Sequence, residues 1–339
     1  MYKKINTDKD KIGLYLTSKY LCYTLKSEEY RLYVCSIEDE SEIIFISEEK
    51  KVNYYSIYGD NLIYISRDED STFLVNLKSK NKNQIDEILY DLVDNYYKKN
   101  KNYYCDNNYV YIYDLLSGNI VKIIKKTIIG YPKLGTDNYI ITNNNIYIYV
   151  YLKTDFTLLW QKDLSKLTQY TEWDGTEEEG KIREVYHYKD SVIVLTQMFI
   201  LRIDLQTGDI IYSLQLPAGL MELSIVGDKA YGCYGYHYME VDIEKGKLLK
   251  FIRIEDAVYQ GKEYNAIMDS PKFHEGYVFH GVRLEGGYYA ISALDAQTGK
   301  RMWIDLLGTY MVEKIEFYEN KMFVSDSGGS LYIYEKEDA

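Results

Sequence analysis

The feature that most constrains the fold of this chain is a short motif that recurs along it. An aspartate stands four residues before a glycine, and strand-forming residues precede each copy. The carboxylate can accept hydrogen bonds from backbone N–H groups of the following turn, and the glycine can take a positive φ, so that the chain re-enters as an antiparallel strand. The four copies are Asp114 with Gly118, Asp204 with Gly208, Asp242 with Gly246, and Asp295 with Gly299.

Each of these turns follows a hairpin made of a strand, a short polar break and a second strand. We count eight such hairpins, from residues 20–25 with 30–35 to residues 322–325 with 331–334. Their spacing of roughly 40 residues is the period of a propeller blade. The pattern predicts an all-β chain that forms a single β-propeller domain over residues 1–339, with four-stranded antiparallel blades. We expect eight blades, with seven as the alternative.

The best copy of the repeat is ALDAQTGKRMW, which contains Asp295, Thr298, Gly299 and Trp303. It resembles the signature of pyrroloquinoline-quinone-like (PQQ-like) propeller blades, in which the third strand ends in A-L-D-x-x-T-G-K and the fourth carries a Trp. The resemblance implies the architecture of most of the chain but little about function, because propellers host many unrelated activities. The quinone-dependent dehydrogenases of this group are longer and exported, and we can assign neither their cofactor-stacking Trp nor their calcium ligands here. We therefore expect a non-enzymatic member without a cofactor.

Two regions of the repeat are irregular. Between residues 83 and 97, apolar residues fall at helical spacing, which indicates either an inserted helix or an outer strand followed by the next inner strand. The last unit, residues 313–335, ends soon after its third strand and would leave an unpaired sheet edge. Residues 2–6 can supply the missing outer strand, so we expect them to pair with residues 331–334 and close the ring.

The charge of the chain bears on its partners. It contains 40 Lys and Arg against 52 Asp and Glu, a formal net charge of −12. A surface this acidic repels phosphate backbones, which argues against nucleic-acid binding, and it suits a protein partner with a basic face. The alternative is that the charge only keeps a large protein in solution.

The sequence also bears on the compartment. Asp8 and Asp10 interrupt the amino terminus where the apolar part of a signal peptide would lie, and no apolar run is long enough to span a bilayer. The four cysteines form no C-x-x-C pair and lie in or beside strand-like segments, which is typical of buried thiols in a reducing compartment. We expect a cytoplasmic monomer that does not interact with membranes.

No residue pattern indicates catalysis. The segment from Gly175 to Lys181 matches G-x-x-x-x-G-K, but Ile182 follows where a Ser or Thr should bind magnesium, and three glutamates in the loop would repel phosphate. The four histidines have no Cys or carboxylate at metal-ligand spacing, and no nucleophile stands beside a base. We expect neither enzyme activity nor a bound metal.

The candidate binding residues lie in two long insertions between units. Trp173 lies in the polar stretch TQYTEWDGTEEEGK, where packing gives an aromatic residue little reason to occur, although a locally packed loop is the alternative. Topology places both insertions at the same end of the blades, together with the loop between the second and third strands to which we assign Arg283. The predicted partner-binding residues are Trp173, Glu177, Glu178, Glu179, Tyr259, Tyr264 and Arg283.

Three functions remain open from the sequence. The first is a non-enzymatic protein-interaction module, either a scaffold or an immunity-type protein that masks a basic toxin. The second is a propeller that binds a small ligand or carbohydrate through tyrosines, of which the chain has 40. The third is a hydrolase or lyase, which requires carboxylates or histidines that converge around the central channel.

Overall fold

The computed structural model describes residues 2–17, 19–39, 41–85, 101–105, 109–114, 120–125, 131–136, 138–155, 157–172, 174–264 and 266–337. In these ranges the strands form seven four-stranded sheets, one three-stranded sheet and two two-stranded hairpins. Two short 3₁₀ helices, Lys26–Glu28 and Ser165–Leu167, complete the described secondary structure.

We number the larger sheets along the chain. Sheet 1 contains β2 (Lys11–Leu16), β3 (Tyr20–Leu25), β4 (Arg31–Ser36) and β5 (Ile43–Ile46). Sheet 2 contains β6 (Val52–Tyr58), β7 (Asn61–Ser66), β8 (Ser71–Asn76) and β9 (Lys82–Ile85). Sheet 3 contains β10 (Lys101–Cys105), β11 (Tyr109–Asp114) and β12 (Ile120–Lys125). Sheet 4 contains β13 (Tyr131–Gly135), β14 (Tyr139–Asn144), β15 (Tyr147–Leu152) and β16 (Leu158–Asp163).

The second half of the chain repeats this arrangement. Sheet 5 contains β19 (Ile182–Tyr188), β20 (Ser191–Thr196), β21 (Phe199–Asp204) and β22 (Ile210–Gln215). Sheet 6 contains β23 (Ser224–Val226), β24 (Lys229–Tyr234), β25 (His237–Asp242) and β26 (Lys247–Arg253). Sheet 7 contains β29 (Ala266–His274), β30 (Tyr277–Leu284), β31 (Tyr288–Asp295) and β32 (Arg301–Gly308). The hairpins are β17 (Gln169–Thr171) with β18 (Glu177–Glu179), and β27 (Ala257–Tyr259) with β28 (Lys262–Tyr264).

Sheet 8 joins the two ends of the described chain. It contains β33 (Val312–Tyr318), β34 (Lys321–Asp326), β35 (Leu331–Lys336) and, as its outermost strand, β1 (Tyr2–Asp8). β1 runs antiparallel to β35, with Tyr2 opposite Lys336 and Asp8 opposite Leu331. The Tyr2 ring is buried and packs edge-on against Phe279 of sheet 7, with ring centroids 5.6 Å apart. The edge of β35 is therefore covered by the first strand of the chain.

Sheet 5 shows how burial falls from the middle of a sheet to its outer strand. In sheet 5 all six residues of β20 are buried, whereas the residues of β22 alternate between half-buried and exposed. Middle strands are covered on both faces by adjacent sheets, so they consist of nearly continuous β-branched and apolar residues. The outer strands keep the period of two that is typical of a half-solvated surface.

The core lies between successive sheets. Six apolar clusters connect sheets 4, 5, 6, 7, 8, 1 and 2 in that order. Pairs of residues that belong to these clusters are Val150 and Leu201, Ile193 and Met239, Tyr238 and Val278, Phe279 and Val324, Phe323 and Leu21, and Val34 and Leu62. Sheets 5, 6, 7, 8 and 1 thus each bury both faces against their two neighbours.

The structure confirms the predicted all-β fold with antiparallel four-stranded sheets. Of the ambiguous segment, Asn83 and Ile85 belong to strand β9, and residues 86–97 lie outside the described residues. One detail was wrong, because Arg283 lies within β30 and not in the loop that follows it. No helix of the described chain has the length and apolarity that crossing a membrane requires.

Candidate interaction face

The repeated turns have a structural function. Asp204 Oδ1 accepts hydrogen bonds from the backbone N–H groups of Gln206 and Thr207, at 2.9 and 2.8 Å. Asp295 Oδ1 accepts bonds from the N–H and hydroxyl of Thr298, at 2.7 and 2.8 Å. These bonds favour the ionised form and lower the pKa of both aspartates.

Of the other two copies of the motif, the structure describes the one at Asp242 in full and the one at Asp114 only in part. Asp242 accepts one such bond, from the N–H of Lys245 at 2.9 Å, and Gly246 has a φ of 62°. Gly208 and Gly299 have φ values of 75° and 72°, so all three described turn glycines are left-handed. Gly118 and the side chain of Asp114 lie outside the described residues.

The same turns hold adjacent sheets together. The outer strand of one sheet donates a side-chain hydrogen bond to the residue that follows the turn aspartate of the next sheet. Three such bonds are Trp160 Nε1 to Leu205 O at 2.9 Å, Tyr212 Oη to Ile243 O at 2.8 Å, and Lys250 Nζ to Ala296 O at 2.7 Å. These turns therefore contribute to the packing of adjacent sheets.

At the other end of the sheets, the fourth strand of one sheet connects to the first strand of the next, and the second strand turns into the third. Both two-stranded hairpins are such connections, since β17–β18 joins sheets 4 and 5 and β27–β28 joins sheets 6 and 7. We call this end of sheets 4 to 7 the elaborated face. Hairpins extend it here, whereas the turns at the opposite end are short.

The β17–β18 hairpin presents the three predicted glutamates. Glu177, Glu178 and Glu179 are all exposed, and none forms an ion pair with another described residue. The hairpin is anchored beneath them by Tyr170, which is buried in the cluster between sheets 4 and 5. At its end, Gly180 is so enclosed that a Cβ there would lie 2.9 Å from the hydroxyl of Thr196. A rigidly seated hairpin therefore holds three carboxylates in solvent.

A shallow pocket of about 540 Å³ lies beside this hairpin. The glutamates form one wall, together with Lys181, and residues 144–147 of the turn between β14 and β15 form the other. Tyr147, the first residue of β15, is partly exposed, and the nearby charge of Asp163, with a smaller contribution from Glu179, raises the pKa of its phenol. The lining has three carboxylates against one lysine, which favours a cationic group in the pocket.

Trp173, the predicted anchor, lies outside the described residues, so the structure assigns it neither to the surface nor to the core. Its chain neighbours on both sides belong to the β17–β18 hairpin region: Glu172 accepts a hydrogen bond from the Tyr170 hydroxyl at 3.1 Å, and Asp174 is exposed. The prediction for Trp173 remains a prediction.

The second hairpin lies over sheet 7. Ala257 is buried against Val282, Leu284 and Ala290, at the end of β30 where Arg283 is exposed. Tyr259 is half-buried, and Tyr264 pairs with Ala257 through the backbone, while its side chain lies outside the described residues. The predicted site residues therefore divide into two groups, because one hairpin packs on sheets 4 and 5 and the other on sheet 7.

A groove of about 650 Å³ lies between β26 and β32 and borders the second hairpin; it was not predicted from the sequence. Its walls include Arg301, Trp303 and Val258. The available signal was a polar residue, Arg301, at a repeat position that is apolar in neighbouring units. Detecting this signal requires the strand registers, which the sequence alone does not provide.

Three of the four histidines are part of the structural framework, and the fourth, His187, is exposed. His237 and His274 stack on Phe251 and Phe317, with ring centroids 4.7 and 4.0 Å apart. His280 is fully buried, and desolvation lowers its pKa to about 3, so its imidazole is neutral at pH 7. Within the described residues, no group of three or more His, Cys, Asp or Glu side chains is placed to hold a metal ion.

The succession of four-stranded antiparallel sheets, closed by the first strand of the chain, defines a β-propeller. No protein-family model matches the chain, and no curated protein matches it. Similar solved structures include BamB from Moraxella catarrhalis, which is 12% identical with a TM-score of 0.67 and coverage of 99% of this chain and 100% of that one.

Two further structures with this fold are Sqt1 from Saccharomyces cerevisiae and the C-terminal WD40 domain of Sif2. Sqt1 is 9% identical with a TM-score of 0.67, covering 99% of this chain and 98% of that one. The Sif2 domain is 13% identical with a TM-score of 0.66, covering 100% of this chain and 99% of that one. At these identities the similarity shows the fold alone.

Proposed function

We propose that this chain is a non-enzymatic protein-interaction propeller of eight blades that binds a protein partner through the elaborated face. The observation that carries the proposal is the position of the two extra hairpins, both of which are inserted at the same end of the sheets. Insertions on one face of a rigid scaffold are typical of binding surfaces. The PQQ-like signature around Asp295 supports the same architecture without implying a quinone.

The charge of the face supports a partner with a basic surface. Glu177, Glu178 and Glu179 stand in solvent without ion pairs among the described residues, in a chain of net charge −12. Charges arranged this way accelerate the association of an oppositely charged partner more than they stabilise the fold. An immunity-type protein that masks a basic toxin is one form of this proposal, and a cytoplasmic scaffold that acts as a monomer is the other.

A charge-matched pair of triple variants tests the proposal. The first variant carries Glu177→Gln, Glu178→Gln and Glu179→Gln. The control carries Glu38→Gln, Glu42→Gln and Asp209→Asn, three exposed carboxylates in turns at the opposite end of sheets 1 and 5. Both variants change the net charge by +3, which follows from three carboxylates lost in each.

In pull-downs from the native host, followed by binding kinetics, a partner captured by the wild type should be retained by the control. The hairpin variant should bind it with slower association and a weaker dependence on salt. Equal loss of binding in both variants would mean that only the net charge matters. Unchanged binding in the hairpin variant would show that the partner docks elsewhere.

A further inference from the structure

The groove between sheets 6 and 7 contains a guanidinium that forms no ion pair with a described residue, although the charge of Asp256, in the lining of the same groove, acts on it. Arg301, the first residue of β32, donates hydrogen bonds from Nη1 to the Ser292 hydroxyl at 2.6 Å and from Nη2 to the Glu255 carbonyl at 3.5 Å. Its Nε is buried and has no hydrogen-bond partner in the described chain. Burial lowers the pKa of this guanidinium. A desolvated charge of this kind costs stability unless something compensates it.

The repeat shows that the fold does not require a charge at this position. Arg301 lies opposite Leu294, immediately before a β-bulge in the outer strand. The residues with the same register in sheets 4, 5 and 6 are Leu158, Ile210 and Leu248. Ile210 and Leu248 pack against the apolar clusters between their own sheet and the preceding one, while Leu158 is exposed, so two neighbouring units form the same joint with an aliphatic side chain.

Where other outer strands carry a cation at this position, a carboxylate neutralises it. Lys4 of β1, which also precedes a bulge, forms an ion pair with Asp305 at 2.6 Å. Lys82 of β9, opposite Val75, forms an ion pair with Glu49. Arg301 is the exception among these three cations.

The interior behind Arg301 does not compensate the charge. His280 and Ser292 are fully buried and directly opposite each other, at the register positions that Val194 and Leu201 occupy in sheet 5. His280 Nδ1 is 3.0 Å from the Gly281 carbonyl, while its Nε2 has no partner among the described residues. This imidazole is neutral and Ser292 carries no charge, so compensation comes from the groove, where the described chain offers the charge of Asp256 but no ion pair.

The groove itself suits a ligand that combines a negative charge with an apolar body. Its charged lining residues are Arg253, Lys300 and Arg301 against Glu255 and Asp256. This leaves a net positive site in a chain of net charge −12. The apolar walls include Trp303 and the exposed side chains of Met302 and Val258. Val258 belongs to hairpin β27–β28, so the groove continues into the elaborated face.

We propose that this groove binds an extended acidic peptide segment of a partner protein. An Asp or Glu carboxylate of the segment pairs with Arg301, and a flanking apolar side chain packs on Trp303 and Met302. A carboxylate can engage the guanidinium through two parallel hydrogen bonds, and such pairs are strong in a partly desolvated site. The proposal rests on the function proposed above and adds a second recognition site to it.

The test is a selection from a phage-displayed library of random dodecapeptides, followed by affinity measurement on the purified chain. Arg301→Leu is the decisive variant, because it restores the residue type of Leu158, Ile210 and Leu248. Lys247→Leu is the control, since it removes an exposed cation from β26 outside the groove. The enriched peptides should contain Asp or Glu beside an apolar residue and bind Arg301→Leu at least tenfold more weakly than the wild type and the control.

The melting temperature separates binding from structure. Because a half-buried charge without an ion pair is replaced by an aliphatic side chain, Arg301→Leu should melt at the same temperature as the wild type or higher. A lower melting temperature would show that Arg301 stabilises the joint and would overturn the proposal. So would failure to enrich acidic peptides, or enriched peptides that bind the variant equally well. Enrichment of basic peptides whose binding depends on the β18 glutamates would retain the proposed function and remove the groove from it.

Discussion

Gly208 lies against the indole ring of Trp160 so closely that a Cβ at this position would come within 2.8 Å of the ring. The two residues belong to adjacent sheets, and the indole also donates its hydrogen bond to Leu205 in the same turn. This position of the repeated motif thus requires glycine for two reasons: its φ is positive, and a side chain of the preceding blade lies against it. Gly246 shows the same relationship to Tyr212 and Gly299 to Ile252.

Gly208→Ala should destabilise the protein more than an alanine at an unobstructed left-handed glycine. The backbone conformation costs about 1–2 kcal/mol, and displacing the indole adds about 1–3 kcal/mol. Gly227→Ala is the matched control, because Gly227 has a φ of 59° and no atom of the described chain lies within 4 Å of the place that an alanine Cβ would take. Urea denaturation measures both variants, and equal loss of stability would show that the indole contact contributes nothing.

Removal of β1 should lower the melting temperature. Deleting residues 1–8 exposes the edge of β35, removes the Lys4–Asp305 ion pair and takes the buried Tyr2 ring out of the cluster between sheets 7 and 8. Loss of the aromatic ring alone removes about 1.5–3 kcal/mol of burial free energy. Deleting residues 338–339 is the control. Circular-dichroism melts that coincide for the two truncations would contradict a role of β1 in closing the propeller.

Acid should weaken the contact between sheets 1 and 2 at Asp60. The carboxylate accepts a hydrogen bond from the Tyr20 hydroxyl at 2.8 Å and pairs with Lys78 at 2.7 Å, and the bond from Lys78 is the main reason that its pKa falls to about 2. An unfolded Asp has a pKa of about 3.9. The stabilisation is therefore fully present above about pH 4 and is lost as the pH falls towards 2.

Thermal melts of the wild type and Asp60→Asn between pH 6 and pH 2 measure this effect. The wild type should melt at a higher temperature at pH 6, and the difference should shrink below about pH 4. Asp190→Asn, which removes an exposed carboxylate without an ion pair among the described residues, should give a difference that depends little on pH. A constant difference for Asp60→Asn would mean that the contact does not depend on ionisation.

Trp173→Ala should weaken partner binding about thirtyfold without changing the melting temperature. Truncation of a buried aromatic residue at an interface commonly costs about 2 kcal/mol, and about 1.4 kcal/mol corresponds to a tenfold change in affinity. Titration calorimetry with the isolated partner measures the first quantity and a thermal melt the second. An unfolded or strongly destabilised variant would place Trp173 in the core.

Much of the fold could be predicted from the sequence because its turns are local. Asp204 and Gly208 are four residues apart, and both the hydrogen bonds and the positive φ arise within that segment. The strands on either side follow from continuous β-branched and apolar residues such as those of β20. The candidate glutamates could be located by the same reasoning, since an insertion between units must emerge at the end where the fourth strand leaves the sheet.

The sequence by itself determined the repeating unit, the positions of its turns and the end of the sheets at which the insertions emerge. Only the tertiary structure decided which side chains meet across the joints between sheets. Trp160 and Gly208 are 48 residues apart in the sequence (208 − 160), and no local pattern encodes the contact between them. The same holds for Arg301. Its charge can be read from the sequence, but the lack of an ion pair with a described residue depends on how two separately formed sheets pack.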